Sequence, residues 1–262
     1  IGANDMTDNA PEQVFADWLA PVWPAPACVK AYVSTRGAPL SVGPYGAFNT
    51  ADHVDDTTEH VQKSRQQLQE VFSFSYVPIW LDQVHGTSVV HAKPATPRQP
   101  ADAVTTSIAG LPITIHTADC LPVFFCNRAG TRVALAHAGW RGLLAGVIEQ
   151  TAQTFDDKPE NILVWLGPAI GPQHFEVGDE VRQAFIQFLP EHASAFAPSP
   201  FQADGKHWLC NIYELARQRL ANRGIHQVTG GDRCTVTEEQ FFSFRREKKT
   251  GRLLSIIWLQ PT

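Results

Sequence analysis

The sequence predicts an α+β fold in which helices and sheets form layers within a single domain. Strand-like apolar runs outnumber helical patterns, and they follow one another instead of alternating with helices. That order favours layers over a doubly wound parallel sheet. The chain has 262 residues without a repeat or a clear linker, which fits one domain. We expect residues 11–262 to form that domain and residues 1–10 to be a disordered start left from expression cloning.

The N-terminal half is predicted to contain one long helix followed by a series of strands. A short helix is expected over 11–20, and the apolar run 28–34 is typical of a strand. The sequence Asp-Thr-Thr-Glu at 56–59 resembles a capping box, and the helix that it opens carries apolar residues on one side. The strand-like runs that follow are 79–84, 88–92, 102–106, 112–117 and 123–126.

The C-terminal half is predicted to be built around a central strand, 133–136, that stops at His137. A glycine-rich turn follows this strand and opens a helix. The remaining segments are a helix at about 141–155, a strand at 162–166, a rigid Gly-Pro turn at 167–172, a helix at about 179–189, a helix capped by Asn211 that stops at Gly224, and strands at 241–244 and 253–259.

Charge and composition disfavour several classes of function. A net charge of −5 and a pI near 6.0 leave no basic stripe for phosphate backbones, so we expect no nucleic-acid binding. The short basic run 245–249 is the exception, and a small anion site and a solvated loop are both open there. Neither a signal peptide nor a run of about 18 apolar residues is visible, so we expect a soluble, cytoplasmic protein without membrane contact. Five irregularly spaced cysteines also suit a reducing compartment.

Three candidate metal ligands stand at the ends of strand-like runs. His85, Cys120 and His137 each have a glycine or proline nearby, so their side chains are expected to project from a sheet end. Zinc takes nitrogen and sulfur ligands, and catalytic zinc sites use three protein ligands and leave one position for water. The spacing alone leaves the ordinary alternatives open, which are hydrogen-bonded histidines and a buried thiol.

Several motifs add to this pattern. They are Gln-Val-His-Gly at 83–86, Ala-Asp-Cys-Leu-Pro at 118–122, His-Ala-Gly-Trp-Arg-Gly at 137–142, Gly-Pro-Ala-Ile-Gly-Pro at 167–172, Phe-Glu-Val-Gly at 175–178, Phe-Phe-Ser-Phe-Arg-Arg at 241–246 and Thr-Gly-Arg at 250–252. Together they resemble the YfiH family, also called the laccase-domain or multicopper polyphenol oxidase family. The resemblance covers about residues 28–259, and the motif at 137–142 is the most specific part of it.

The resemblance implies a fold, a metal site and a substrate site. The implied fold is a layered α/β/β/α sandwich with mixed sheets, like the catalytic domain of cytotoxic necrotising factor. The implied metal is zinc held by His85, Cys120 and His137, and copper is an alternative because it outcompetes zinc at most nitrogen and sulfur sites. The implied substrate-site residues are Arg36, Asn49, Ser243 and Arg246.

The same resemblance implies purine nucleoside chemistry. Family members are described as phosphorylases of adenosine, inosine and methylthioadenosine that also deaminate adenosine, so the expected partners are a purine nucleoside and phosphate. A zinc ion that activates water suits deamination at adenine C6. Cys120 and His137 are the expected catalytic centre, and Asp119 is either a proton shuttle or a support for the neighbouring ligand. The candidates for phosphate binding, or alternatively for structural ion pairs, are Arg36, Arg141 and Arg246.

Three other functions remain open. Some family members resemble amidases that edit peptidoglycan precursors, which suits the same zinc or a Cys120 nucleophile with His137 as base. Copper polyphenol oxidase (laccase) chemistry is disfavoured because no two of the ten histidines are separated by a single residue, as His-x-His motifs require. A non-enzymatic binding module with a structural zinc needs a fourth ligand, for which Cys126 is the nearby spare thiol. The oligomeric state stays open.

Overall fold

The computed structural model describes residues 17–37, 43–202 and 205–261. The expected disordered start at 1–10 and most of the helix expected over 11–20 lie outside these ranges. The strands are β1 (Val29–Val33), β2 (Val89–His91), β3 (Ala103–Thr106), β4 (Ile113–Thr117), β5 (Leu121–Asn127), β6 (Val133–Ala138), β7 (Ile162–Leu166), β8 (Glu176–Gly178), β9 (Phe196–Pro198), β10 (His207–Cys210), β11 (Val228–Gly230) and β12 (Leu253–Leu259).

The α-helices lie between these strands, together with two short 3-10 helices. They are α1 (Thr58–Phe72), α2 (Trp140–Ala145), α3 (Val147–Ala152), α4 (Asp179–Phe188), α5 (Ile212–Asn222) and α6 (Phe244–Glu247), and the 3-10 helices are Pro159–Asn161 and Pro190–Ala195. Among the described helices, none combines the length and the apolar character that crossing a membrane requires. The predicted mixture of helices with several mixed sheets is confirmed.

Two sheets pack against each other at the centre of the molecule. The larger has the strand order β11-β7-β5-β6-β3-β2 and mixes parallel with antiparallel pairs. The smaller has the order β1-β12-β4 and is antiparallel. A third, antiparallel sheet has the order β8-β10-β9.

Strands β5 and β6 form the middle of the larger sheet and are buried along their whole length. Successive side chains point to opposite faces. Phe125 and Ala134 therefore join the core with α3 and α5, whereas Phe124 and Leu135 join the core between the two sheets. Because both faces are covered, these strands are continuous apolar runs and do not alternate with polar residues.

A third core lies on the other face of the smaller sheet. Leu68 of α1 packs there with Leu254, Ile256 and Trp258 of β12. The order across the molecule is therefore helix α1, the smaller sheet, the larger sheet and the remaining long helices. The likeness to cytotoxic necrotising factor itself stays a prediction.

The start of α1 differs from the predicted capping box by one residue. Thr57 is the cap, because its Oγ1 accepts the backbone N–H of His60 at 3.2 Å. Asp56 instead accepts the backbone N–H of Thr57 at 2.7 Å and contacts His60 Nδ1 at 2.8 Å. The acidic side chain thus supports the cap without forming it.

The single helix expected over 141–155 is divided into α2 and α3 at Gly146. This glycine has a φ of 105°, a left-handed conformation that residues with a Cβ rarely adopt. The sequence pattern of apolar residues continues across the break, so only the glycine marks it.

Two segments expected to be strands take other forms. The run 79–84 makes only isolated bridges, at Ile79 and Asp82. Segment 241–244 forms a turn into α6, where Ser243 Oγ accepts the backbone N–H of Arg246 at 3.2 Å. Phe241 and Phe242, which suggested a strand there, are buried in the core between the two sheets, whereas Phe244 is exposed.

The strand order brings four strand ends to one edge of the larger sheet. β6 ends at this edge, and β5 and β3 begin there because both are antiparallel to β6. β2 also begins there because it is parallel to β3. Residues just outside these ends, at 85, 102, 120 and 139, therefore lie close together although they are distant in sequence.

Candidate metal centre

The structure brings His85, Cys120 and His137 together at this edge. Their donor atoms all lie within 4.8 Å of one another, and Cys120 Sγ is 3.9 Å from His85 Nε2. The two imidazole rings meet edge to face, with centroids 4.8 Å apart. His137 is buried and His85 is exposed, so the cluster opens to solvent on one side. Two nitrogens and one sulfur form a donor set that fits zinc or copper.

Asp102 supports both histidines of the cluster. Its Oδ1 lies 2.8 Å from His137 Nδ1, which leaves Nε2 of that ring for the cluster. The same carboxylate accepts the backbone N–H groups of His85 at 2.9 Å and Gly86 at 2.6 Å. Asp102 is fully buried, and the sequence analysis did not select it. The sequence signal that could have identified Asp102 was an acidic residue at the start of the strand-like run 102–106.

Backbone geometry makes room for the cluster. His85 has a φ of 58°, which is uncommon for a residue with a Cβ and is held here by the hydrogen bonds to Asp102. A Cβ on Gly139 would lie 3.0 Å from both Cys120 Sγ and His85 Cδ2. The φ of Gly139 is −63°, so this position needs glycine for space and not for backbone conformation.

The charges of the metal-free cluster alternate in sign, negative on Cys120, positive on His137 and negative on Asp102. Burial raises the pKa of the Cys120 thiol, but His137 and His85 outweigh burial and lower it to about 6. Burial lowers the pKa of His137, but the Cys120 thiolate and the Asp102 carboxylate raise it to about 9. The metal-free cluster is therefore a thiolate beside an imidazolium at neutral pH, and metal binding releases the imidazolium proton.

Two cavities of about 330 Å³ each open on the cluster and share His85, Cys120 and Phe244. We call them the histidine cavity and the aromatic cavity. The residues that distinguish the histidine cavity are His53, Gln83, His116 and Arg252. The residues that distinguish the aromatic cavity are Trp140, Arg141, Ile170, Phe175 and Arg245.

Asp119 lies beside Cys120, and both of its carboxylate oxygens accept hydrogen bonds from the protein. Oδ1 accepts from Thr235 Oγ1 and Oδ2 from the backbone N–H of Arg245, each at 2.6 Å. These bonds tie the loop at Thr235 and helix α6 to the turn between β4 and β5. These hydrogen bonds favour a supporting role for Asp119. Its role as a proton shuttle stays a prediction.

Arg36 and Arg246 both bind the carboxylate of Glu247. Arg36 also donates from Nη2 to the carbonyl of Gly43 at 3.0 Å. Arg246 donates to Glu247 Oε1 at 2.9 Å and to the carbonyl of Phe241 at 2.6 Å. Neither arginine lines the two cavities. These are structural contacts, and substrate binding by the two arginines stays a prediction.

Of the other three predicted substrate residues, two are buried and one lines a cavity. Asn49 and Ser243 are fully buried, and Asn49 Oδ1 accepts the backbone N–H of Arg252 at 3.1 Å. Arg141 is exposed, and its guanidinium lies 4.3 Å from the centroid of the Trp140 ring. Of the five residues predicted for substrate, Arg141 is the one that lines either cavity.

Arg252 lines the histidine cavity, although the sequence analysis named it only as part of a motif. Its place follows from strand register, because Leu253 of β12 is paired with Thr117 of β4. Arg252 therefore lies next to the turn that carries Cys120. The smaller sheet contributes this residue to a site whose metal donors belong to the edge of the larger sheet.

Comparison with known proteins assigns the chain to a family. The family model described as multi-copper polyphenol oxidoreductase laccase matches residues 30–260. The chain belongs to this laccase-like family. A relative from Escherichia coli (strain K12), named purine nucleoside phosphorylase YfiH, is 51% identical over 244 residues, which is 92% of this chain and 98% of the relative. The predicted YfiH resemblance is confirmed.

Two further proteins resemble this laccase-like family member along nearly their whole length. A Pseudomonas aeruginosa relative named purine nucleoside phosphorylase PA4543 is 49% identical, covering 93% of this chain and 98% of the relative. The crystal structure of Neisseria meningitidis protein NMB0706, family DUF152, matches with a TM-score of 0.84 at 40% identity, covering 93% of this chain and 99% of that one. The family description thus refers to copper oxidation, whereas the names of the two bacterial relatives refer to phosphorolysis.

Proposed function

We propose that this protein is a zinc-dependent purine nucleoside enzyme that phosphorolyses adenosine, inosine and methylthioadenosine and deaminates adenosine. The observation that carries the proposal is a His-Cys-His donor set of which His85 and Cys120 line an aromatic cavity of about 330 Å³. That volume lies within the range of sites for small molecules. The names of the two bacterial relatives support the same reading of the site.

A single metal ion fits the donor set. Within 17–37, 43–202 and 205–261, the cluster of His85, Cys120 and His137 is the one group of three or more such side chains close enough to share an ion. A multicopper oxidase needs several copper ions, so its chemistry has less support than that of one zinc. Zinc bound at these donors supplies a Lewis acid that polarises an oxygen of substrate or water. Copper remains a competitor for the same atoms.

The aromatic cavity suits the purine ring. Trp140, Phe175 and Phe244 give it aromatic surface, and Ile170 adds an apolar wall. Stacking of a base on such a side chain contributes about 1–3 kcal/mol. Arg141 at the same cavity is placed to donate hydrogen bonds to ribose hydroxyls or to the base.

The protein's own groups hold this arrangement in place. Asp102 keeps a proton on His137 Nδ1, so that Nε2 stays available as a donor atom. Asp119 accepts the backbone N–H of Arg245, which fixes the segment that walls the aromatic cavity. Both carboxylates act as positioning groups in this proposal.

Product analysis tests the proposal. Purified protein loaded with zinc is incubated with adenosine, with and without inorganic phosphate, and the purines are separated by chromatography. Adenine that forms only with phosphate indicates phosphorolysis, and inosine indicates deamination. Absence of both products from the zinc-loaded and the copper-loaded protein would refute the proposal.

A metal-free cysteine amidase is the second candidate, and the acidic Cys120 thiol favours it. A thiol whose pKa is about 6 is mostly thiolate at neutral pH, and His137 lies beside it as an acid–base partner. Hydrolysis of peptidoglycan-precursor amides by chelator-treated protein would support this candidate. Amide hydrolysis that requires added metal would refute the cysteine mechanism.

A further inference from the structure

Arg252 is a partly buried cation without a carboxylate partner among the residues that the structure describes. Several other buried or partly buried arginines have one: Arg219 lies 2.6 Å from Glu149, and Arg233 lies 2.8 Å from Glu238. Arg217 has none, but both of its Nη atoms donate to backbone carbonyls, those of Val228 and Gly230. Arg252 Nη1 donates to the carbonyls of Thr250 at 2.9 Å and Gly251 at 3.0 Å. Its Nε and Nη2 make no hydrogen bond to the described part of the chain. Burial lowers the pKa of Arg252, and the charges of Cys120 and Asp119 oppose that shift without a hydrogen bond to the guanidinium.

The carboxylates near Arg252 already accept hydrogen bonds or form ion pairs with other residues. Asp119 gives both carboxylate oxygens to Thr235 and the backbone of Arg245. Asp52 is bound by Arg98 at 2.6 Å and by Arg65 at 3.2 Å. No carboxylate of the described chain therefore pairs directly with this guanidinium, although Asp119 keeps its negative charge.

The cavity beside Arg252 has the space and the polarity for a small anion. It measures about 330 Å³ and lies against Cys120 and His137. Two imidazoles, those of His53 and His116, line it together with Arg252. Thr50 Oγ1 occupies His116 Nε2 at 2.8 Å. His137 also lines the cavity, and Arg252 is the lining cation whose charge does not depend on metal binding. Aromatic residues for a purine lie mainly on the other side of the cluster, in the aromatic cavity.

We infer that Arg252 binds the inorganic phosphate that the enzyme uses as its second substrate, in the histidine cavity next to the His-Cys-His cluster. The two free edges of its guanidinium, Nε–H and Nη2–H, match two phosphate oxygens in a bidentate pair. This inference rests on the phosphorolysis proposed above. It assigns phosphate to Arg252 in place of Arg36 and Arg246, whose guanidinium groups are bound to Glu247.

The two cavities then hold the two substrates on either side of the cluster. One oxygen of dihydrogen phosphate forms a bond to ribose C1′ while the C1′–N9 bond breaks. The bonding electron pair leaves with N9 of the base, and the base takes up the proton that the phosphate loses. The products are the free purine and ribose 1-phosphate, so atoms and charge balance.

The test compares zinc-loaded wild type with Arg252→Gln, Arg252→Lys and the control Arg223→Gln. Arg223 is an exposed arginine at the C-terminal end of α5, outside both cavities. Isothermal titration calorimetry measures binding of inorganic phosphate without nucleoside. Initial rates of adenine formation give KM for phosphate and for adenosine, and inosine formation without phosphate measures deamination.

For Arg252→Gln we expect phosphate affinity to fall, and KM for phosphate to rise, by about 10- to 100-fold, the loss of a charge-assisted hydrogen-bonded pair. KM for adenosine should rise less than KM for phosphate, and the control Arg223→Gln should leave both KM values and the deamination rate within about twofold of wild type. Arg252→Lys keeps the charge but loses the planar fork, so it should show a smaller loss. If Arg252→Lys melts at the same temperature as wild type, the fold tolerates a change at this position.

Unchanged phosphate affinity in Arg252→Gln would overturn the inference. So would a loss of affinity for AMP with phosphate affinity unchanged, because the arginine would then bind the phosphoryl group of a nucleotide. If wild type forms no adenine at any phosphate concentration, the proposed phosphorolysis fails. The calorimetric comparison still decides the phosphate site in that case, so the two failures are distinguishable.

Discussion

Asp102 Oδ1 lies 2.8 Å from His137 Nδ1 and 2.9 Å from the backbone nitrogen of His85. One buried carboxylate thus orients one histidine through its ring and the other through its main chain. The cluster depends on this single side chain for the position of two of its three donors.

Asp102→Asn should lower zinc affinity by about 10- to 100-fold, the usual cost of losing a partner behind a metal ligand. The amide cannot accept from His137 and the backbone with the same charge, so both histidines lose support. Competition with a chromophoric chelator measures the affinity. The control is Asp157→Asn, which changes a carboxylate bound to Asn127 at 3.0 Å. Equal affinities for the two variants would contradict the role of Asp102.

Gly139→Ala should weaken metal binding by crowding. The added methyl would lie 3.0 Å from Cys120 Sγ and from His85 Cδ2, so at least one donor must move. Gly86→Ala is the matched control, because its nearest neighbour, Asp102 Oδ2, is 3.5 Å from the added methyl. We expect zinc affinity to fall at least tenfold more in the first variant than in the second, from the same chelator assay. Similar losses in both would show that space at Gly139 is not decisive.

Cys120→Ala and His137→Ala should each remove bound metal and nucleoside turnover together. Cys126→Ser should keep the metal, because Cys126 is buried in the core between the two sheets. Elemental analysis after dialysis gives the metal content, and chromatography gives the products. Full turnover by metal-free protein would reject the zinc mechanism. Loss of metal from Cys126→Ser would favour a four-ligand structural site.

The reactivity of Cys120 in metal-free protein should depend on pH with a midpoint near 6. Its pKa is lowered from 9.0 to about 6, because His137 and His85 outweigh the burial that raises it. The thiolate therefore stabilises the fold fully above pH 9.0, and that contribution is lost as the pH falls through about 6. Iodoacetamide alkylation followed by mass spectrometry measures the rate. Cys126, with a pKa raised to about 12 by burial, should stay unmodified, and a Cys120 midpoint near 9 would contradict the prediction.

Arg246→Ala should lower stability more than it changes catalysis. The variant loses bonds to Glu247 and to the carbonyls of Thr235 and Phe241, at a cost of about 2 kcal/mol. Urea denaturation measures the free energy of unfolding, and Arg223→Ala should change it by less than about 0.5 kcal/mol. A raised KM for phosphate with unchanged stability would instead restore Arg246 as a substrate residue.

The meeting of the three candidate donors could be predicted from sequence because strand ends mark where side chains leave the core. His85, Cys120 and His137 each follow or precede an apolar run, and these runs become neighbouring strands. Asp102 could not be predicted, because its partner His137 is 35 residues away and only the pairing of β3 with β6 brings the two together. Apolar periodicity predicted most strands and helices but missed the break at Gly146, where backbone conformation and not hydrophobicity decides.

The ion pairs of the arginines could not be predicted from the sequence either. A sequence gives the number of cations but not the carboxylate that each one meets. Glu247 adjoins Arg246 in sequence, which was a signal for an ion pair, but its contact with Arg36 spans 211 residues. Arg252 lines a cavity and makes no such contact in the described structure, and no local pattern reveals that.

The pairing of Ala103 with Ala136 has a consequence for how the protein matures. A slip of one residue between β3 and β6 would turn the side chains of one strand to the opposite face and separate Asp102 from His137. If the cluster binds the proposed ion, uptake of that ion would report correct alignment of the sheet, because misaligned chains would lack the contact between Asp102 and His137.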